Sequence, residues 1–256
     1  MKTIKFLTLS FFILLGVINA NAQAIPTTKP TIIFVHGIWA DGSSWANQIT
    51  DLQTKGYPVI AVQNPIISLA DDVAATKRAI NQAKGDVILV GHSWGGFVIT
   101  QAGNDPKVVG LVYVAALVPD LDETLPSLSA KGPAIKLKDY FEPLDGFVYL
   151  SKEGIKNVFA QDLTDKQQNL IYATQTPAFQ TVFSDKSGAP AWKQKASWYI
   201  VAKNDKSIHP DLERFMAKRS HAKTIEIDAS HVVMISHAKE VLAVIEEAAN
   251  SKKQSL

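Results

Sequence analysis

The chain has 256 residues, 46% of them hydrophobic and 20% charged, a composition that fits a folded globular protein and excludes disordered, fibrous and repeat classes. Its 26 basic side chains exceed the 24 acidic ones by two, and Lys2 and Lys5 account for that excess; the remainder is neutral, with no electrostatic footprint for nucleic acid or an anionic membrane. The absence of cysteine excludes disulfides, thiolate catalysis and thiolate metal sites, and a chain of this length can bury a sufficient core without them.

The N-terminus reads as an export signal. Met1 to Lys5 is a basic lead, Phe6 to Ile18 is almost wholly apolar, and Ala20-Asn-Ala22 is a small-x-small cleavage site. Such a run is shorter than the roughly 20 residues that cross a bilayer. Residues 1–22 are therefore expected to be a signal peptide and the mature protein to be periplasmic or secreted, with no membrane anchor.

After a polar, Pro-containing lead, short β-branched runs alternate with helical patterns. The runs are Thr31–Val35, Pro58–Val62, Asp86–Val90, Val109–Val114, Trp198–Ala202 and Thr224–Ile227. Near-continuous apolar strands separated by helices predict an α/β fold with a mostly parallel sheet buried on both faces. Ser44 is placed to cap a helix that stops at Gly56, and Ser68 with Asp71 forms a capping box ahead of Leu69–Ala83. Pro210 opens a further helix, with Asp211 and Glu213 in its first turn and Lys218 and Arg219 in its last, as the helix dipole favours. An amphipathic helix over Ala238–Ala249 closes the pattern. The alternation breaks only at residues 121–195, which hold nine of the 22 aromatic residues and equal numbers of lysines and acids. A loop of that length needs structure of its own and is expected to be a mostly helical cap; the core would then comprise 23–120 and 196–256.

The chemistry concentrates in Gly91-His-Ser93-Trp-Gly95, a G-x-S-x-G pattern between a predicted strand and a predicted helix. A serine at such a turn has a strained backbone, and only very small residues two places away let strand and helix approach. Serine needs a histidine base and an orienting carboxylate. Of six histidines, His36 and His92 lie in the motif loops, His209 precedes a helix, and His221 and His237 sit in polar contexts; His231 alone follows the last predicted strand after a short loop. Asp205, just past the fifth strand, is the preferred acid, Asp120 past the fourth is its rival, and Asp228 is too close in sequence to His231 to reach its far ring nitrogen comfortably. The N–H groups of Trp94 and of Ile38, in the His36-Gly37-Ile38 turn after the first strand, are the candidate oxyanion donors. No H-E-x-x-H, calcium-loop or G-x-G-x-x-G pattern occurs, so no metal or cofactor is expected.

These residues resemble the small bacterial α/β-hydrolases related to plant methylesterases and hydroxynitrile lyases, most densely in His36–Trp45, Val90–Gly96 and Trp198–Arg219. The resemblance implies Ser93, Asp205 and His231 as the triad, in the chain order of that fold, Ile38 and Trp94 as oxyanion donors, 121–195 as the cap, and a core of about six strands. The lyases carry Thr after the oxyanion-loop histidine and Lys after the catalytic histidine; Gly37 and Val232 stand there in this chain, which places it on the esterase side. The expected reaction is hydrolysis of a small, largely uncharged ester through an acyl-enzyme. Cofactor-free perhydrolysis or haloperoxidation, lactone hydrolysis, and a non-catalytic binding or sensing role on the same fold are the alternatives.

Overall fold

The computed structural model describes residues 29–251, so the expected signal peptide lies outside the described residues. Among them the chain runs β1 (Thr31–Val35), α1 (Ala46–Thr54), β2 (Val59–Val62), α2 (Leu69–Gln82), β3 (Val87–Ser93), α3 (Gly95–Ala102), β4 (Val108–Ala116), α4 (Leu125–Ser129), β5 (Phe141–Leu144), β6 (Phe147–Leu150), α5 (Lys152–Gly154), α6 (Asp165–Thr174), β7 (Ala178–Phe179), β8 (Ala196–Ala202), α7 (Pro210–Arg219), β9 (Lys223–Ile227), α8 (Val233–Ser236) and α9 (Ala238–Asn250). All six strands expected from the apolar runs are present, and they form one sheet in the order β2-β1-β3-β4-β8-β9 with every adjacent pair parallel.

Strand burial follows position in the sheet. Every residue of the interior strand β1 is buried, as are Val87 to His92 of β3, whereas β9 at the edge exposes Lys223, Thr224, Ile225 and Glu226. Charged side chains along an edge discourage pairing with another chain. Right-handed crossovers fix the helix layers: the β1-to-β2 connection runs one way along the sheet, whereas the steps from β2 to β3, β3 to β4 and β8 to β9 run the other way. α1 therefore lies on the face opposite α2, α3 and α7, and it packs against α9, while α2 packs against α3. The strand order reverses between β1 and β3, so the loops leaving their carboxyl ends diverge to opposite faces and leave a crevice between them.

Local punctuation agrees with the sequence at most positions. Ser68 Oγ accepts from Asp71 N at 3.1 Å, and Pro210 occupies the first turn of α7. Asp41, not Ser44, starts the first helical segment: its carboxylate accepts from Ser43 N at 2.7 Å and opens a 3-10 turn, Gly42–Trp45, ahead of α1. The 121–195 segment carries α4, α5, α6 and several single helical turns, together with a three-stranded antiparallel sheet, β5-β6-β7. Asp145-Gly146 makes the β5–β6 hairpin, both residues having positive φ (50° and 81°), the backbone an Asp-Gly hairpin turn adopts.

Candidate active site

Ser93 ends β3 immediately before α3, with φ at +53°, in the left-handed region that a non-glycine residue enters at a cost of about 1–3 kcal/mol. The surrounding glycines explain how so sharp a turn is packed. A Cβ on Gly95 would lie 2.3 Å from Val35 O, and one on Gly91 would lie 2.7 Å from Gly95 O. Gly37 brings the loop after β1 directly against the turn, since a Cβ there would stand 2.6 Å from Ser93 Cβ. The N–H groups of Ile38 and Trp94 have no acceptor among the described residues, so each is free to bind oxygen beside Ser93. The Ser93 hydroxyl likewise has no hydrogen-bond partner among the described residues.

Two other loops bring His231 and Asp205 together. His231 Nδ1 donates to Asp205 Oδ2 at 2.5 Å, with both side chains buried. The other oxygen of Asp205 accepts from Ser207 N at 2.6 Å and Ile208 N at 2.9 Å, so both carboxyl oxygens are engaged and the orientation of the group is fixed. The bond to Nδ1 leaves His231 Nε2 without a hydrogen-bond partner among the described residues. The rival acids are engaged elsewhere: Asp120 pairs with Lys193 at 2.7 Å and Asp228 with Lys203 at 2.8 Å.

Several residues that sequence reading assigned no role complete the arrangement. His92, next to Ser93, donates from Nε2 to His231 O at 3.0 Å, and the two rings lie 4.6 Å apart. Burial, reinforced by the neighbouring His231, holds His92 well below its usual pKa, so it stays neutral and positive charge can develop on one of the two rings only. Asp162 accepts from Ser230 N at 2.8 Å and Ser230 Oγ at 2.5 Å, which fixes the residue before His231. Gln161 donates to Asn204 O at 2.6 Å and Ser207 donates to Val158 O at 2.8 Å, so segment 158–162 is stitched to both loops. Phe159 lies 5.1 Å from the His231 ring and 6.1 Å from that of Trp39. Trp39, after Ile38, has φ +59° and donates from its indole to Val148 O of β6 at 2.9 Å. Buried Asp72 accepts from the Trp94 indole at 2.8 Å and Ile66 N at 2.9 Å. These contacts span long separations in sequence and carry no local pattern by which sequence could reveal them.

The alpha/beta hydrolase family profile matches residues 32–244. A curated relative, the alpha/beta hydrolase nvfD of Aspergillus novofumigatus (strain IBT 16806), is 23% identical over 244 residues, covering 86% of this chain and 97% of its own. Among solved structures, the pyrethroid hydrolase PytH superposes with a TM-score of 0.77 at 20% identity, covering 88% of this chain and 98% of its own. Polyneuridine aldehyde esterase superposes with a TM-score of 0.75 at 19% identity, covering 87% and 100%. Sheet order, serine turn and family match agree, and the chain belongs to the alpha/beta hydrolase family.

Proposed function

We propose that the protein is a carboxylic ester hydrolase in which Ser93 attacks the ester carbonyl, His231 takes and returns the proton, and Asp205 fixes the imidazole. The observation that carries this reading is the buried 2.5 Å His231–Asp205 pair, tied through His92 to the strained turn that presents Ser93. The free N–H groups of Ile38 and Trp94 would stabilise the oxyanion, and water would then release the acyl group. The open Ser93 hydroxyl fits this scheme, because contacts between base and nucleophile tighten in the Michaelis complex. Relatives named as a pyrethroid hydrolase and an aldehyde esterase make an ester the favoured substrate class.

The substrate is a small, weakly polar ester. Trp39, Phe141 and Phe159 form an aromatic wall, and Phe159 carries it to 5.1 Å from the His231 ring, so the surface next to the candidate base is apolar. Purified protein should hydrolyse p-nitrophenyl acetate, and Ser93→Ala should abolish it; undiminished turnover by that variant would overturn the reading, and no turnover by the native protein would favour a binding role. Gly37 and the buried, apolar Val232 supply neither the hydroxyl nor the ammonium that the lyases carry at these positions, so mandelonitrile should not be cleaved above background.

Export remains part of the proposal. N-terminal sequencing of secreted protein should begin at Gln23, or at Ile25 if Ala22-Gln-Ala24 is the cleavage site, and an intact Met1 on active cytoplasmic protein would refute it.

A further inference from the structure

Glu213 lies in the first turn of α7, where its charge would suit the helix dipole, yet it is completely buried. Its side chain turns toward the sheet. Oε2 accepts from Ala202 N at the end of β8 at 3.0 Å, while Oε1 has no donor among the described residues. Asp205 follows Ala202 by three residues, and the two carboxyl groups lie within hydrogen-bonding reach of one another. Two carboxyl oxygens can share a short contact in a dry site only if a proton lies between them. Asp205 already accepts from two amides and from His231, as an anion does. The proton therefore belongs to Glu213.

We propose that Glu213 is a positioning residue of the candidate site: a carboxylic acid that donates from Oε1 to the Asp205 carboxylate and so sets its orientation and its pull on His231. This rests on the assignment of Ser93, His231 and Asp205 made above. Burial raises the carboxyl of Glu213 well above the ordinary range, and the charge of Asp205 and the hydrogen bond to it act in the same direction. The other groups facing it are few. From β8, Tyr199 spends its hydroxyl hydrogen on Ala116 O, and the Arg214 guanidinium, on α7 itself, is engaged by Asp211 and Glu226 at the surface. Neither supplies a proton or a full counter-charge, so the surroundings favour the neutral form of Glu213.

The role differs from simple structural support in what it predicts. A neutral donor on Asp205 withdraws some of the negative charge that stabilises the His231 imidazolium. Removing that donor should strengthen the imidazolium and move the acid limb of the pH–rate profile upward by about half a pH unit or more. Glu213→Gln keeps an acceptor for Ala202 N and an N–H for Asp205, and should retain kcat within about threefold with an unmoved acid limb. Glu213→Leu should lose roughly 10- to 100-fold, the scale on which loss of an orienting partner is felt.

Infrared spectroscopy reads the proton without requiring turnover. The native protein at neutral pH should show the carbonyl stretch of a protonated carboxylic acid, absent from Glu213→Gln and displaced in Asp205→Asn, where its acceptor has changed. These spectra decide the matter even if Glu213→Leu fails to fold, and they separate this proposal from the ester-hydrolysis reading, which Ser93→Ala tests. A missing band, a band that Asp205→Asn leaves in place, or a Gln variant as impaired as a folded Leu variant would each overturn the proposal. So would a folded Leu variant whose acid limb does not move.

Discussion

The ends of β4 and β8 each carry an aspartate a few residues past the strand, yet their surroundings make them different devices. Asp205 is buried and saturated by two amides and an imidazole, whereas Asp120 is about one-third exposed and pairs with a lysine. Desolvation works to raise Asp120, but the Lys193 hydrogen bond, the Leu121 amide and the charges of Lys193 and Arg219 together hold its carboxyl below the usual range. A fixed, dry carboxylate can hold an imidazole in one tautomer; a solvated one can only help tie two pieces of backbone. Asp205→Asn tests this contrast most severely. It keeps the shape but disrupts the bond to His231 Nδ1, and kcat for an aryl ester should fall by about 10⁴ with the fold intact by circular dichroism. If activity survived, the end of β8 would not be the site of the orienting acid.

The next test asks whether the His231 loop is held by the core alone. Asp162 belongs to the 121–195 segment yet accepts twice from Ser230, one residue before the candidate base. Asp162→Ala leaves Ser230 N without its partner and should lower kcat by about ten- to a hundredfold through misplacement of the imidazole. KM should change less than kcat, because Asp162 acts through the His231 loop. A larger change in KM would show that the 158–162 segment acts on substrate rather than on the base.

The two strand ends were also unequally readable. Strand positions follow from β-branched runs, and Ser93 from glycines that the 2.3 and 2.7 Å approaches at Gly95 and Gly91 explain. His231 and Asp205 could be ranked because each follows a predicted strand. Asp120 follows one too, and burial, which separates it from Asp205, is a property of the assembled fold. Glu213 illustrates the limit: from sequence it reads as a helix-start charge, and only the packing of α7 on β8 turns it inward. Asp145-Gly146 is the opposite case, a hairpin signal that was present but flanked by strands of only four residues.

Asp72 sharpens the comparison as a buried aspartate without an imidazole. Burial pushes it up to about 6 from 3.8, against the opposing hydrogen bonds from Trp94 and Ile66. A carboxyl raised in the folded state binds its proton there more readily than in the unfolded chain. Its contribution to stability is thus present below about pH 4 and lost as pH rises through 6. Relative to Asp72→Asn, which does not titrate, native stability should fall by about 2–3 kcal/mol between pH 4 and 6.5, measured by urea unfolding. A constant difference would mean that Asp72 is better solvated than its surroundings imply. At neutral pH the Asn variant would still present its amide N–H to one of the two donors, so the turn at Trp94 should loosen and kcat should fall by up to about tenfold.

The smallest effect is expected at Asp120, and the reason lies in how redundantly that hinge is tied. The chain enters the 121–195 segment beside the point where it leaves. Asp122 N donates to Ser187 O and Ser187 N to Glu123 O, both at 2.9 Å, and the Trp192 indole donates to Pro119 O at 2.9 Å. Arg219 adds a two-pronged contact to Glu123 at 2.9 and 3.0 Å and a further bond to Val118 O. Against these, the Asp120–Lys193 pair is half-solvated, and such pairs contribute about 0–1 kcal/mol. Asp120→Asn should therefore cost at most about 1 kcal/mol of stability, with kcat reduced by no more than about tenfold through a shift of the 121–195 segment. Arg219→Ala, which removes the buried side of the same hinge, should cost more on both counts. If Asp120→Asn instead matched the loss expected of Asp205→Asn, with both proteins folded, the orienting acid would sit at the end of β4. The buried pair at the end of β8 would then need another explanation, while the roles proposed for Ser93 and His231 would stand.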